Sequence, residues 1–221
     1  MPKRLPFIQG GYCHIYNGGA GRQLIFREAR NYIYALRLLK KVAGECEVTV
    51  IAYSLLPNHY HWLLRQDGET PAGKVPTRVF GSYTQAFNNA YGRSGTLFEG
   101  PYKALAVDTD AYFVNLCCYI HLNAVHHGLV DSPEDWPYAN YLEWIDKRPG
   151  TLIDKDLVRA YFATPRAYQD FVEGFRKRYT FQEATDLLES KGLVPTDDLH
   201  ESDLHGPSRK LRASWKVTCL A

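Results

Sequence analysis

Alternating and helical periodicities succeed one another along the first 130 residues of the chain. Residues 7–16 (FIQGGYCHIY) are rich in β-formers and close on Asn17-Gly18-Gly19, which predicts a strand and then a turn or loop. Over 27–42, apolar or aromatic side chains fall at 32, 33, 35, 36, 38, 39 and 42, a helical stripe that stops before Gly44. The β-branched run 47–56 (EVTVIAYSLL) predicts a strand, Pro57-Asn58 a turn, and 59–65 (HYHWLLR) an antiparallel partner. After a polar loop over 68–76, Val79, Phe80, Tyr83, Phe87 and Tyr91 show helical spacing within 77–91. Residues 97–107 read as a strand broken at Gly100-Pro101 by a bulge or bend. Asp108-Thr109-Asp110 offers an N-cap for a long helix from Ala111 to about Val125.

The resulting order is β-α-β-β-α-β-α. Its first six elements match an α+β, ferredoxin-like (split βαβ) arrangement of four antiparallel strands with helices on one face. Past residue 130 the character changes. A turn-rich segment over 132–138 leads into short helices predicted around 139–146, 154–162 and 165–178, and from about Gln182 the chain is polar. The expected organisation is therefore a domain over 1–130, a C-terminal helical extension over 131–181 packed on it, and a loosely ordered tail over 182–221.

Composition narrows the class. With 221 residues, 45% hydrophobic and 23% charged, the chain has enough apolar surface for a sizeable core, which excludes disorder throughout. No window approaches the 18 or so consecutive apolar residues that a membrane-spanning helix needs. The N-terminus has two basic residues with no apolar stretch behind them, unlike a secretory signal. Five cysteines, an odd number with no CxxC pair, point to reduced thiols and a cytoplasmic setting. The net charge of +2 conceals an asymmetry: residues 1–130 carry 13 Lys and Arg against 8 Asp and Glu, and residues 131–221 carry 13 against 16. A basic front half suits a polyanion. The 16 tyrosines serve either base stacking or an ordinary core.

Two constellations carry chemistry. On a strand, His59 and His61 project from the same face while Tyr60 points away. Paired neutral imidazoles invite a divalent metal, although two surface histidines in alternation read the same way. Further on, Tyr119 and Asn123 lie four apart on the last helix and share a face. Asn123 has an oxygen to complete a His-His-amide site, and Tyr119 a phenol that attacks phosphorus once a metal polarises the phosphoryl oxygen. A core tyrosine with an asparagine near the helix end is the plainer alternative. His14, on the first strand, reads as a core or DNA-contacting histidine.

Taken together, SLLPNHYHWLLR, GTLFEGPYKAL and CCYIHLNAVHHGLV, with GGYCHIYNGG and RQLIFRE ahead of them, resemble the REP-associated tyrosine transposases, relatives of the single-tyrosine HUH transposases of small insertion sequences. The resemblance covers residues 7–145 in matching order. It implies His59 and His61 as metal ligands, Asn123 as the third, and Tyr119 as the nucleophile. The implied cofactor is Mg²⁺ or Mn²⁺. The implied activity is nicking and rejoining of single-stranded or hairpin DNA of the palindromic-repeat type through a 5′-phosphotyrosine link, by a monomer or homodimer. Arg22, Tyr102, Lys103 and His126 are the implied DNA contacts, with Glu99 beside them. The chain departs from the family pattern at Asn123-Ala124-Val125-His126, where Asn-Pro-Val-Arg is usual, and at Gly18-Gly19, where Arg-Gly is expected. Two other readings stay open: a DNA-binding regulator of the same fold that no longer cleaves, and a metal-dependent hydrolase that uses an activated water.

Overall fold

The computed structural model describes residues 7–189. Four strands, β1 (Tyr12–Gly18), β2 (Val48–Leu55), β3 (His59–Gln66) and β4 (Lys103–Val107), form one sheet in the order β2-β3-β1-β4, every neighbouring pair antiparallel. Helices α1 (Ala29–Glu45) and α2 (Lys74–Tyr91) make the two crossovers and pack on one face, the split βαβ pattern expected from the sequence. Helix α3 (Asp110–His126) covers the other face.

Alternation along the strands sorts the core. Cys13, Ile15, Val50, Tyr60, Trp62 and Leu64 face α1 and α2, whereas Leu63, Ile51 and Ala52 face α3. A register shift between Val50 and Ala52 lets two consecutive residues of β2 point the same way, the usual consequence of a bulge. Because both faces are covered, α3 is buried along almost its whole length, from Tyr112 to Ala124.

Local chemistry sets the element ends. The Asn31 side chain accepts from the Arg27 and Glu28 amides at 2.9 and 3.2 Å and opens α1. Gly92, left-handed at φ +61°, closes α2. The Thr109 hydroxyl accepts from the Tyr112 amide at 3.3 Å and starts α3, as its sequence predicts.

Three boundaries differ from expectation. The first strand runs over Tyr12–Gly18 and not from residue 7, because Gly10 at φ +77° and the Gly11-to-Ile8 amide bond at 2.9 Å turn the chain beforehand. The broken strand over 97–107 keeps only β4 as ladder, and Phe98 makes an isolated bridge with Gly19 across the kink at Gly100, φ +68°. Beyond residue 180, the expected loosely ordered tail begins instead with a helix, α7 (Phe181–Glu189). The Glu183 carboxylate accepts from the Thr180 amide at 2.8 Å, and Ala184, Thr185 and Leu188 are buried, so a capped amphipathic turn overrides the polar composition. The rest of that tail lies outside the described residues.

The extension contributes α4 (Tyr141–Trp144), α5 (Lys155–Tyr161) and α6 (Pro165–Arg178). Their apolar side chains, Trp144, Phe162, Tyr168 and Phe175 among them, join α3 in one cluster. Asn140 ties this layer to the sheet edge. It accepts from the Tyr53 amide at 2.7 Å and donates to the Ile51 carbonyl at 2.9 Å, in place of a further strand.

Candidate active site

The site lies at the end of the sheet where the β2–β3 hairpin turns. The turn is fixed from outside: the Pro57 carbonyl accepts from the Ile25 and Phe26 amides at 2.7 and 2.9 Å, and the Asn58 carbonyl from the Gly19 amide at 2.8 Å. His59 is the first residue of β3 and is therefore held by backbone on both sides. Asn58 Oδ1 lies 2.8 Å from His59 Nδ1 and accepts its proton in the tautomer that leaves Nε2 bare for a metal ion between it and Asn123. His59 Nε2 then meets Asn123 Oδ1 at 2.9 Å, across from the last turns of α3.

His61, two residues along β3, is buried, and its ring stands edge-to-face with the Tyr119 ring at 5.6 Å between centroids. The two strand histidines are 5.3 Å apart at 87°. Burial pushes the His61 pKa well below the ordinary imidazole value, helped by His14, His59 and His127 nearby, so the ring is neutral. The structure thus brings together His59, His61, Asn123 and Tyr119 from two elements 64 residues apart at the His59–Asn123 contact.

Two neutral imidazoles and an amide oxygen are a chemically sound donor set for a divalent ion. Among the described residues no three His, Cys, Asp or Glu side chains form such a group, so an ion held by the two histidines would take its third protein donor from an amide, and Asn123 Oδ1 is the one facing His59 Nε2. Beside the histidines opens a cleft lined by Tyr16, Gly18, Gly19, Arg22, Asn58 and Glu99 as well as His59 and His61.

The candidate DNA contacts divide. Arg22 is on the cleft wall and adopts a left-handed φ of +60°. The Lys103 ammonium stands 5.9 Å from the Tyr16 ring centroid, on the histidine face. His126 packs near Tyr119, 6.3 Å between rings, and burial lowers its pKa to about 4, so it is not a cation for phosphate at neutral pH. Tyr102, just before β4, packs with the α1–α2 side of the core, its hydroxyl against Gly73.

Three further neighbours adjoin the histidines and Tyr119 in contacts that the sequence reading did not assign. It placed His127 with His126 and Arg22 as a stand-in phosphate contact, and His14 as a core or DNA-contacting residue. His127, four residues past Asn123 on the same helical face, stands 4.9 Å from His59 between rings. His14 Nε2 is 3.0 Å from His61 Nδ1, a contact that only the β1–β3 register reveals. Phe181, at the start of α7, stacks nearly parallel to Tyr119 (9°, 6.1 Å) and also touches His126 and His127. Under it Tyr119 is fully buried. The polar average composition of the C-terminal segment conceals this cover in the sequence.

No family model and no curated protein sequence matches the chain. Among solved structures, a REP-associated tyrosine transposase bound to a REP hairpin superposes with a TM-score of 0.58 at 18% identity, over 70% of this chain and 94% of that one. At that identity the two share a fold. A candidate transposase from Deinococcus radiodurans (TM-score 0.39, 15% identity, 54% of this chain and 95% of that one) and the tRNA(His) guanylyltransferase of Saccharomyces cerevisiae (0.41, 8%, 91% and 86%) superpose too loosely to inform the site. Among the described residues no helix is long and apolar enough to cross a membrane.

Proposed function

We propose that the chain is a single-strand DNA endonuclease and strand transferase of the tyrosine transposase type, with Tyr119 as nucleophile. The observation that carries this reading is the convergence of His59 Nε2 on Asn123 Oδ1 at 2.9 Å, one helical turn from Tyr119, whose ring lies against His61. The shared fold with the hairpin-bound transposase supports the choice of hairpin DNA as partner.

His59, His61 and Asn123 would hold a divalent ion. When bound, the ion neutralises charge on the non-bridging oxygens of the scissile phosphate. Two nitrogen donors against one oxygen favour Mn²⁺ over Mg²⁺. The protein's own part is positional. Asn58 keeps the His59 ring in one tautomer, and α3 sets Tyr119 and Asn123 on one face. In the chemical step the Tyr119 oxygen bonds to phosphorus, the bond from phosphorus to the 3′-oxygen breaks, and the phenolic proton ends on the departing 3′-hydroxyl. Attack by a 3′-hydroxyl on the phosphotyrosine reverses the step and rejoins strands, so no nucleotide cofactor is consumed.

Burial of Tyr119 favours a second reading, a hairpin-binding regulator that no longer cleaves. One experiment separates the two. The protein is incubated with labelled hairpin-bearing single-stranded DNA and Mn²⁺, and analysed by denaturing gel and mass spectrometry. The expected result is a covalent adduct on Tyr119 that vanishes with Tyr119→Phe and with EDTA. Hairpin binding with no adduct supports the regulator, and cleavage that survives Tyr119→Phe at more than a few per cent makes water the nucleophile.

A further inference from the structure

His14 has no part in the ligand set, yet it is fully buried and its Nε2 lies 3.0 Å from Nδ1 of His61. The contact is diagonal across β1 and β3: His14 pairs with Leu63, His61 with Tyr16, and both rings occupy the α3 side of the sheet. A centroid distance of 5.2 Å with only 20° between the planes sets the nitrogens edge to edge, where ring N–H and lone pair both lie. Two lone pairs at that distance repel and two N–H groups clash, so one proton is shared between the rings. A histidine that ligates a metal does so as the neutral imidazole, and with both rings neutral each carries one N–H.

Two arrangements satisfy this. If His14 donates, the His61 proton is on Nε2, and that nitrogen has no lone pair for a metal. If His61 donates from Nδ1, its Nε2 is bare. Metal-bound histidines almost always give their second N–H to an acceptor that fixes tautomer and ring orientation, commonly a carboxylate or carbonyl. His59 has such an acceptor in Asn58 Oδ1. Among the described residues, His61 has His14 in that place.

We propose that His14 is a positioning residue: its Nε2 accepts the Nδ1 proton of His61 and so presents the His61 Nε2 lone pair to the metal site. The assignment rests on the reading of His59, His61 and Asn123 as ligands for its purpose, and on the His14–His61 geometry alone for its substance. A neutral acceptor in this place fixes the ring without adding negative charge next to a group that must meet phosphate.

The test has two independent readouts. Long-range ¹H–¹⁵N correlation spectra of ¹⁵N-histidine-labelled, metal-free protein report which His61 nitrogen carries the proton. Nδ1–H is expected, and Nε2–H overturns the proposal. Mn²⁺ titration by calorimetry then compares His14→Leu, which has no acceptor, with His14→Gln, whose Oε1 replaces it. His14→Leu is expected to weaken Mn²⁺ binding about 10- to 100-fold and His14→Gln to restore most of it. Circular dichroism and thermal melts establish that both variants are folded. A folded His14→Leu that binds Mn²⁺ within about twofold of the unmodified chain refutes the role. If the unmodified chain binds no Mn²⁺, the metal reading of the site fails, and the spectrum still decides whether His14 fixes the His61 tautomer.

Discussion

His121 is the side chain whose environment differs most from what its position in the sequence conveys. It is two residues from Tyr119 and faces away from it, fully buried, with Nε2 3.0 Å from Asn140 Oδ1 and Nδ1 2.6 Å from the Tyr168 hydroxyl. Since Asn140 Oδ1 can only accept, His121 donates from Nε2 and accepts the Tyr168 proton on Nδ1. Burial lowers its pKa from 6.5 to about 4, against a smaller opposing effect of the Asn140 bond. The unfolded chain takes up a proton below pH 6.5 that the folded chain refuses until about pH 4. Its contribution is therefore undiminished above pH 6.5 and is lost as pH falls toward 4, on the order of 3 kcal/mol at the acid end. His121→Gln keeps a donor and an acceptor but does not titrate. Urea midpoints measured with chelator between pH 4 and 7 should fall less steeply for the variant. Equal slopes would mean that His121 is already charged in the fold. The same residue shows where sequence stops informing. His59 with His61, and Tyr119 with Asn123, are legible because a period of two and a spacing of four are intrinsic to strand and helix. His14, Asn58 and His127 gain meaning only from register and topology, which bring β1, the hairpin turn and the end of α3 to one point.

At the scale of elements, strands and helices with a full apolar stripe were legible, and those defined by a few contacts were not. α7 is the clearest case. Phe181, Ala184, Thr185 and Leu188 recur at helical spacing, but they are scattered through a polar segment whose average composition masks them. That helix matters for the proposed chemistry, because Tyr119 is fully buried and the Phe181 ring lies parallel to it at 6.1 Å, so on that reading α7 shifts before a phosphate meets the phenol. Aromatic stacking of this kind is worth on the order of 1 kcal/mol beyond area burial, enough to favour the closed arrangement several-fold. Phe181→Ala should therefore speed formation of the Tyr119–DNA adduct several-fold in single-turnover assays, with Mn²⁺ affinity unchanged. A rate equal to that of the unmodified chain would show that α7 leaves the site before the slow step. The strand ends follow the same logic from the other side. Gly10 at φ +77° and Gly100 at φ +68° end pairing earlier than β-propensity alone indicates, since propensity does not register where the backbone turns.

For the molecule as a whole, the question is how a chain with a net charge of only +2 engages a polyanion. The excess positive charge lies in residues 1–130, and the structure places Arg22 on the cleft wall, with Arg27 just before α1 and Arg30 in its first turn. Arg27 and Arg30 are laid over the Tyr91 ring at 4.7 and 5.8 Å, and Arg30 is also paired with Glu28 at 2.8 Å, so both are engaged in stacking between the start of α1 and the end of α2. Arg22 is exposed, next to the histidines, and carries the left-handed backbone that an arginine adopts only at a cost. Glycine suits that conformation without strain, so Arg22→Gly removes the charge and leaves folding intact or slightly improved. On the proposed function this variant should bind hairpin DNA more weakly at 50 mM salt. The slope of log K against log salt should become shallower by roughly 0.7 to 0.9, the loss of one phosphate contact. Mn²⁺ affinity and the thermal midpoint should not fall. Fluorescence anisotropy over a salt series measures the slope directly. A slope unchanged by Arg22→Gly would place the DNA path on the Lys103 side of the cleft, where the same measurement on Lys103→Ala would then show the missing contact.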